Sequence, residues 1–216
     1  IRDELSALMP RRMIVVDDIV RARAVAERRL GNSVRGDDFV FVLADSGIGA
    51  ALMINGKPYI GSLHLAGEIG HVTIDLDGPL CGCGKHGCVE AYASSIALLE
   101  RARRETDDAG LELSTLIAGA EQGLEPHRRI LSEGGAVLGR SLAILVNLLS
   151  PGTVVIGGAL AESRVYCQTA IETARNETVG RVRERVRFLT SAKHAHAGVL
   201  GACSMVLDTL FAPQAI

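Results

Sequence analysis

The segment EIGHVTIDLDGPLCGCGKHGCVE, residues Glu68–Glu90, carries the strongest indication of how this chain folds. Three of the five cysteines, Cys81, Cys83 and Cys88, lie within eight residues, and His71 stands ten residues before the first of them. Three thiolates and one imidazole form the closed ligand set of a structural zinc site, which leaves no coordination position open for catalysis. Glycines between the cysteines allow the tight turns that bring the sulfur atoms together. The segment therefore predicts a zinc knuckle with a structural role.

The fourth ligand of this knuckle, residues 71–90, is a histidine with two candidates. His71 precedes the cysteines, His86 lies between Cys83 and Cys88, and spacing alone does not choose between them. Disulfide pairing is the alternative for the cysteines, but it is typical of small secreted scaffolds. A chain of 216 residues with 48% hydrophobic residues is large enough to build a core without it. Zinc is therefore the favoured interpretation.

The composition indicates a cytoplasmic protein without a nucleic-acid surface of its own. The net charge is −2 and aromatic residues make up 3% of the chain, so neither a basic patch nor a stacking platform for bases is expected. The apolar run at 141–149 is shorter than the roughly 18 residues that span a bilayer. We therefore expect no membrane contact and no direct contact of this chain with DNA.

Strand-like and helix-like segments alternate along the chain, which indicates an α/β fold. An Asn-Gly pair at 55–56 predicts a tight hairpin between two of the strands. The patterns predict strands at 13–16, 39–43, 50–54, 57–60, 71–74, 153–156 and 186–189, and helices at 19–30, 89–103, 126–149, 160–178 and 199–211.

The knuckle and its flanks resemble the signature of the ROK family (repressors, open reading frames and sugar kinases). The resemblance is carried by Glu68-Ile69-Gly70-His71, Cys81-Gly82-Cys83-Gly84, Gly87-Cys88 and Glu90, and extends from about Val15 to about Leu210. It favours His71 over His86 as the zinc ligand. It implies an actin-like ATPase (ribonuclease H-like) fold, with residues 1–216 forming the larger C-terminal lobe. The small N-terminal lobe and any helix-turn-helix domain are then expected outside this chain.

The same resemblance implies a sugar site. The family positions that match Glu68, His71 and Glu90 contact sugar hydroxyls, and Asp18 is a fourth candidate contact. Two carboxylates and an imidazole suit hydrogen bonds to neighbouring hydroxyls. Zinc on one nitrogen of His71 would orient the ring and leave its other nitrogen for the ligand. The alternative is that both glutamates are only supporting or solvated groups.

The residue that would act as the kinase base departs from the family pattern. Kinase members have an Asn-Asp-x-Asn segment ahead of a helix that ends in Ala-Glu. Counting back from Ala26-Glu27 places the catalytic aspartate on Ile19, which cannot accept a proton, and the preceding Asn on Asp18. A slip of one residue would make Asp18 the base. Both alignments break the pattern, so we expect no kinase activity. Asp17 and Asp18 also suit the start of a helix.

The two loops that bind nucleotide in kinase members are altered or weakly specified. The kinase sequence Gly-Thr-Gly-Ile-Gly is replaced by Asp45-Ser46-Gly47-Ile48-Gly49, which puts a negative charge close to the phosphate position. Ser46 and Gly47 keep the turn, and Gly157-Gly158 resembles the adenosine loop. We expect at most a vestigial nucleotide site.

These observations predict the sugar-sensing effector domain of a ROK transcriptional regulator, stabilised by zinc and forming a homodimer or homotetramer. The first alternative is an ATP-dependent sugar kinase with Asp18 as the base. The second is a scaffold that binds no sugar and whose zinc knuckle serves dimerisation.

Overall fold

The computed structural model describes residues 1–31, 36, 38–191 and 196–211. Its centre is a mixed five-stranded sheet with the order β3-β2-β1-β4-β5. The strands are β1 (Phe39–Ala44), β2 (Ile48–Ile54), β3 (Lys57–Tyr59), β4 (Thr153–Gly157) and β5 (Arg187–Thr190). The first three pair antiparallel, and β4 and β5 extend the sheet in parallel with β1. The predicted hairpin is confirmed: Asn55 and Gly56 both have positive φ, the backbone that a two-residue hairpin turn requires.

Helices cover both faces of the sheet, as the α/β prediction requires. They are α1 (Arg2–Leu8), α2 (Ile19–Leu30), α3 (Glu90–Ala93), α4 (Ser95–Thr106), α5 (Leu113–Glu121), α6 (His127–Leu149), α7 (Arg164–Glu177), α8 (Gly180–Arg183) and α9 (Ala197–Phe211). Short 3-10 turns occupy Ile69–His71 and Ala159–Glu162.

Strand β1 divides two hydrophobic cores because its side chains alternate between the faces of the sheet. Val40 and Val42 point into the larger core, which is built mainly on α6 and α7. Phe39 and Phe41 point into a smaller core under α2. All six residues of the strand are buried, so β1 is the central element that fixes both helical layers.

The long helix α6 is a core helix. Within the described residues it alone is long and apolar enough to cross a membrane by length and composition, but 61% of its apolar window is buried inside the protein. A Cβ on Gly135 would lie 2.4 Å from the carbonyl oxygen of Tyr166, and one on Gly139 would lie 2.5 Å from that of Ala170. These glycines let α6 and α7 approach backbone to backbone, which marks α6 as an internal packing element.

Several predicted elements are wrong in detail. The apolar run at 13–16 has no strand partner among the described residues, and Met13 and Val16 are about half exposed. Residues 71–74 form a 3-10 turn and one isolated bridge instead of a strand. The helix predicted at 89–103 is broken at Ser94, whose hydroxyl caps α4. Helix α5 lies in a segment for which the sequence patterns predict no element.

Candidate functional site

The knuckle is a tightly hydrogen-bonded loop between the 3-10 turn and α3. The backbone N–H of Cys81 donates to the carbonyl of Lys85 at 2.8 Å, and that of Gly84 donates back to Cys81 at 2.9 Å. Gly87 has a φ of 65°, and a Cβ there would lie 1.5 Å from the carbonyl oxygen of Asp75. Glycine at position 87 is therefore a steric requirement for closing the loop.

This loop gathers His71, Cys81, Cys83 and Cys88, whose ligand atoms all lie within 4.8 Å of one another. The Nδ1 of His71 is 3.6 Å from the Sγ of Cys81, and the sulfurs of Cys83 and Cys88 are also 3.6 Å apart. Zinc–sulfur bonds of 2.3 Å in a tetrahedron would give sulfur–sulfur separations of about 3.8 Å. The four residues therefore fit a zinc ion. His86 is engaged elsewhere, with its Nδ1 2.9 Å from the carbonyl oxygen of Gly78.

Charge at the thiols also suits a cation. Burial, where a thiolate is poorly solvated, and then the neighbouring thiols of Cys83 and Cys81 together raise the pKa of Cys88 to about 11. The pKa of Cys83 is lowered, chiefly by a hydrogen bond from the backbone N–H of Lys85. A dication held between the sulfurs would stabilise all three thiolates, as metal-bound cysteines are deprotonated.

The sugar-site candidates Asp18, Glu68, His71 and Glu90 all line one cleft of about 260 Å³. They come from the start of α2, from the loop after β3 with its 3-10 turn, and from the start of α3. The turn between β1 and β2, with Ser46 and Gly47, forms another wall. Residues far apart in the sequence therefore converge on one cleft.

His71 connects this cleft to the knuckle. Its Nδ1 faces Cys81, whereas its Nε2 lies 3.9 Å from a carboxylate oxygen of Glu68. The ammonium of Lys85 donates to the His71 carbonyl at 2.6 Å and holds the backbone in place. One ring nitrogen is thus directed to the metal-binding atoms and the other to the cleft.

The two glutamates play different structural parts. Glu90 accepts the backbone N–H of Ile48 at 2.9 Å, and a Cβ on Gly47 would lie 2.8 Å from the same carboxylate oxygen. Glycine at position 47 therefore lets Glu90 reach into the cleft. Glu68 has a side chain that is 55% exposed and lies at the cleft entrance. Glu90 also supports the loop, while Glu68 is free to contact a ligand.

Asp18 is the N-cap of α2. One carboxylate oxygen accepts the backbone N–H of Val20 at 2.7 Å and that of Arg21 at 3.2 Å. Ile19, the first residue of α2, lies beside α9, where its Cδ1 would be 2.7 Å from a Cβ on Gly198. The carboxylate at the start of this helix is thus committed, at least through one oxygen, to holding the helix.

Sequence reasoning missed the part played by Arg21. Its guanidinium donates to Asp17 at 2.5 Å and to the carbonyl of His64 at 3.3 Å, and the residue lines the cleft. It therefore ties the start of α2 to the loop that carries Glu68. The available signal was that Arg21 occupies the second Asn position of the kinase pattern.

The four vestigial nucleotide candidates lie on two adjoining turns. Ser46 and Gly47 follow β1, and Gly157 and Gly158 end and follow β4. A Cβ on Gly158, which has a φ of 98°, would lie 2.3 Å from the carbonyl oxygen of Ala44. This close approach places the two turns side by side at the ends of β1 and β4.

A sequence model of the ROK family matches residues 1–209. The chain belongs to the ROK family. An N-acetylmannosamine kinase from Salmonella typhi is 33% identical over 199 residues, which cover 91% of this chain and 66% of that relative. The chain thus spans slightly less than two thirds of the length of such ROK kinases.

Solved ROK structures share this fold. A ROK hexokinase from Thermus thermophilus superposes with a TM-score of 0.83 at 28% identity, covering 96% of this chain and 72% of the other. A ROK glucokinase from Streptomyces griseus, in complex with glucose and AMPPNP, gives 0.84 at 26% identity and covers 94% and 71%. A ROK transcriptional regulator, a homolog of the E. coli MLC protein, gives 0.82 at 24% identity and covers 93% and 53%. The α/β, actin-like fold of the ROK family is confirmed, and it is common to kinases and regulators.

Proposed function

We propose that this chain is the larger C-terminal lobe of a ROK transcriptional regulator and binds a sugar effector without phosphorylating it. Sugar binding is supported by the convergence of Asp18, Glu68, His71 and Glu90 on one cleft. Carboxylates and an imidazole provide acceptors and a donor for sugar hydroxyls. The lobe acts in the cytoplasm as part of a homodimer or homotetramer and reaches DNA through a domain outside this chain.

Zinc is the cofactor in this proposal, held by His71, Cys81, Cys83 and Cys88. The closed ligand set gives the ion a structural role. Its effect on function passes through His71, because an imidazole fixed at Nδ1 presents Nε2 to the cleft in one orientation. The knuckle thereby sets the geometry of the sugar site.

The proposed absence of kinase activity rests on the residues at the start of α2. A general base must reach the attacking hydroxyl with a free oxygen. One oxygen of Asp18 is held by two backbone N–H groups as the N-cap, and the next residue, which the family pattern aligns with the catalytic aspartate, is Ile19 and has no proton acceptor. Effector binding then changes the arrangement of lobes or subunits, provided that the sugar binds one arrangement more tightly than another.

The alternative is an ATP-dependent sugar kinase in which Asp18 is the base. It is supported by the 33% identity to N-acetylmannosamine kinases over most of this chain. It requires Asp18 to leave its capping role or to use its second oxygen, and it requires ATP to tolerate Asp45.

The test is thermal unfolding of the zinc-loaded full-length protein against hexoses, N-acetylhexosamines and their phosphates, each with and without Mg-ATP. A ligand at about 100 times its Kd stabilises the protein by about 2.7 kcal/mol. A shift with one sugar, none with Mg-ATP and no sugar phosphate formed is the expected result. Phosphorylation of the sugar would establish the kinase, and no shift with any sugar would favour the zinc scaffold.

A further inference from the structure

Asp45 joins the two turns that resemble nucleotide loops. One carboxylate oxygen accepts the N–H of Ser46 at 2.9 Å, and the other accepts the N–H of Ala159 at 3.2 Å. Ala159 directly follows Gly158, whose positive φ and close approach to Ala44 bring the second turn within reach. The carboxylate therefore bridges a turn after β1 and a turn after β4, 114 residues apart in the sequence.

The backbone of Asp45 is held as firmly as its side chain. Its N–H donates to the carbonyl of Gly47 at 3.0 Å, and its carbonyl accepts the N–H of Ser95, at the start of α4, at 2.8 Å. These bonds fix where the carboxylate lies. Its contacts with Ser46 and Ala159 thus belong to a built arrangement of three segments.

A positive charge completes the arrangement. The Nη1 of Arg23, on α2, lies 3.9 Å from the Asp45 carboxylate. Within the described residues, Nε of Arg23 is buried and has no hydrogen-bond partner. Two backbone N–H groups and a guanidinium around one anionic group constitute an anion site.

We propose that Asp45 is a built-in occupant of the phosphate-binding position, so that the nucleotide implied by the family does not fit this chain. An incoming phosphate would meet amides that are already bonded and a negative charge at contact distance, and like charges in contact oppose binding. Removing the carboxylate frees Ser46 N–H, Ala159 N–H and Arg23 for an external anion. This inference deepens the proposed function, because it names the residue that excludes ATP.

The experiment compares full-length wild-type protein with Asp45→Gly and Asp45→Asn, using sodium tripolyphosphate and Mg-AMPPNP in isothermal titration. Glycine is the residue at this position when Gly-Thr-Gly-Ile-Gly is aligned on Gly47-Ile48-Gly49, and asparagine removes the charge with little change of shape. Both variants are expected to bind tripolyphosphate at least about tenfold more tightly than wild type. Adding Arg23→Ala to Asp45→Gly should remove most of that gain.

The matched control is Asp38→Asn. Asp38 also accepts a backbone N–H at a turn, that of Asn55, but it takes no part in the two glycine turns. It should bind tripolyphosphate no better than wild type. The proposal fails if wild type binds Mg-AMPPNP as tightly as Asp45→Gly, or if both Asp45 variants, folded by circular dichroism and loaded with zinc, gain no anion affinity. Sugar titrations of the same proteins report separately on the proposed function, since sugar binding does not require the anion site.

Discussion

In the knuckle, four metal-binding atoms converge from two segments, whereas at the glycine turns after β1 and β4 the backbone amides already face a carboxylate of the chain itself. Both regions are tight turns that depend on glycine. Glu90 lies at the end of the knuckle and Ser46 lies in the turn after β1, and both residues line the cleft. The knuckle needs an external cation to occupy the space between its sulfur and nitrogen ligand atoms, whereas the glycine turns already contain an anion, the Asp45 carboxylate. In our proposal, one fold thus keeps a metal site and closes a phosphate site with the single side chain of Asp45.

The comparison shows that a turn can keep its backbone conformation while its N–H groups are already bonded to another part of the chain. Gly47, Gly157 and Gly158 keep the backbone of the nucleotide turns, yet the groups that would bind phosphate are bonded to Asp45. In the proposed sugar site, Glu68 and His71 both line the cleft, with the Nε2 of His71 3.9 Å from a Glu68 carboxylate oxygen.

Removing a metal ligand should have the largest effect. Cys88→Ser is expected to lose zinc and to lower the free energy of unfolding by roughly 3–5 kcal/mol, because loss of a metal is among the most destabilising changes. Zinc content measured by atomic emission and urea unfolding check this. Cys203→Ser, at an exposed cysteine on α9, should stay within about 0.5 kcal/mol. A Cys88→Ser protein that keeps one zinc and its unfolding midpoint would contradict the zinc assignment.

Neutralising a carboxylate in the cleft should weaken sugar binding. Glu90→Gln can still accept the N–H of Ile48, but it loses a charged hydrogen-bond partner worth about 1.5–3 kcal/mol, or roughly 10- to 150-fold in Kd. The effector found by thermal unfolding is titrated against the variant by calorimetry. Glu100→Gln, an exposed residue of α4 outside the cleft, is the control and should change Kd less than about twofold. Equal losses in both variants would place the ligand elsewhere.

Because Asp18 caps α2, we expect its substitution to change the stability of the protein by an intermediate amount. Asp18→Ala should destabilise the protein by about 1 kcal/mol, whereas Asp18→Asn should cost only a few tenths, since Asn caps helices as well as Asp. Both variants should leave a phosphorylation assay unchanged from a wild-type background of zero. Phosphorylation by wild type that disappears in Asp18→Asn would establish Asp18 as a base.

The smallest effect lies outside both regions, on the surface between α4 and α6. Hydrogen bonds from Arg101 first, and then from Arg129, lower the pKa of Glu105, so its contribution to stability is present above the unfolded pKa of about 4.3. Glu105→Gln should therefore cost about 0.5–1 kcal/mol at pH 7. That difference should hold down to about pH 5 and shrink as pH falls through the lowered folded pKa. Urea unfolding across this range checks it, and a difference that grows in acid would contradict the pairing.

The sequence predicted best what depends on local chemistry. Asn55-Gly56 specifies its own turn, and the leucine spacing of α6 marks a buried stripe at Leu138 and Leu142. The grouping of the three cysteines followed from residue type and glycine spacing, and the resemblance to the ROK family selected His71 as the histidine. In each case the residues that form the sequence pattern also form the local structure that it predicts.

What the sequence did not predict depends on distant partners. The apolar run at 13–16 has strand-like composition, but a strand also needs a neighbour, and none pairs with it among the described residues. The bridge from Asp45 to Ala159 and the link from Arg21 to His64 join segments that only the fold brings together. Asp45 could be predicted as a repulsive charge, but its bonding partners could not.

The packing of α2 on α9 has a mechanical consequence. A Cβ on Gly201 would lie 1.7 Å from the carbonyl oxygen of Ala22, so the two helices meet with no side chain between them to absorb displacement. Helix α9 has 15 residues and is about 22 Å long. If α2 and α9 tilt together by about 4°, the far end of α9 moves by about 1.5 Å. A tilt of this kind that began at Asp18 would thus move the far end of α9 by more than it moved the cleft.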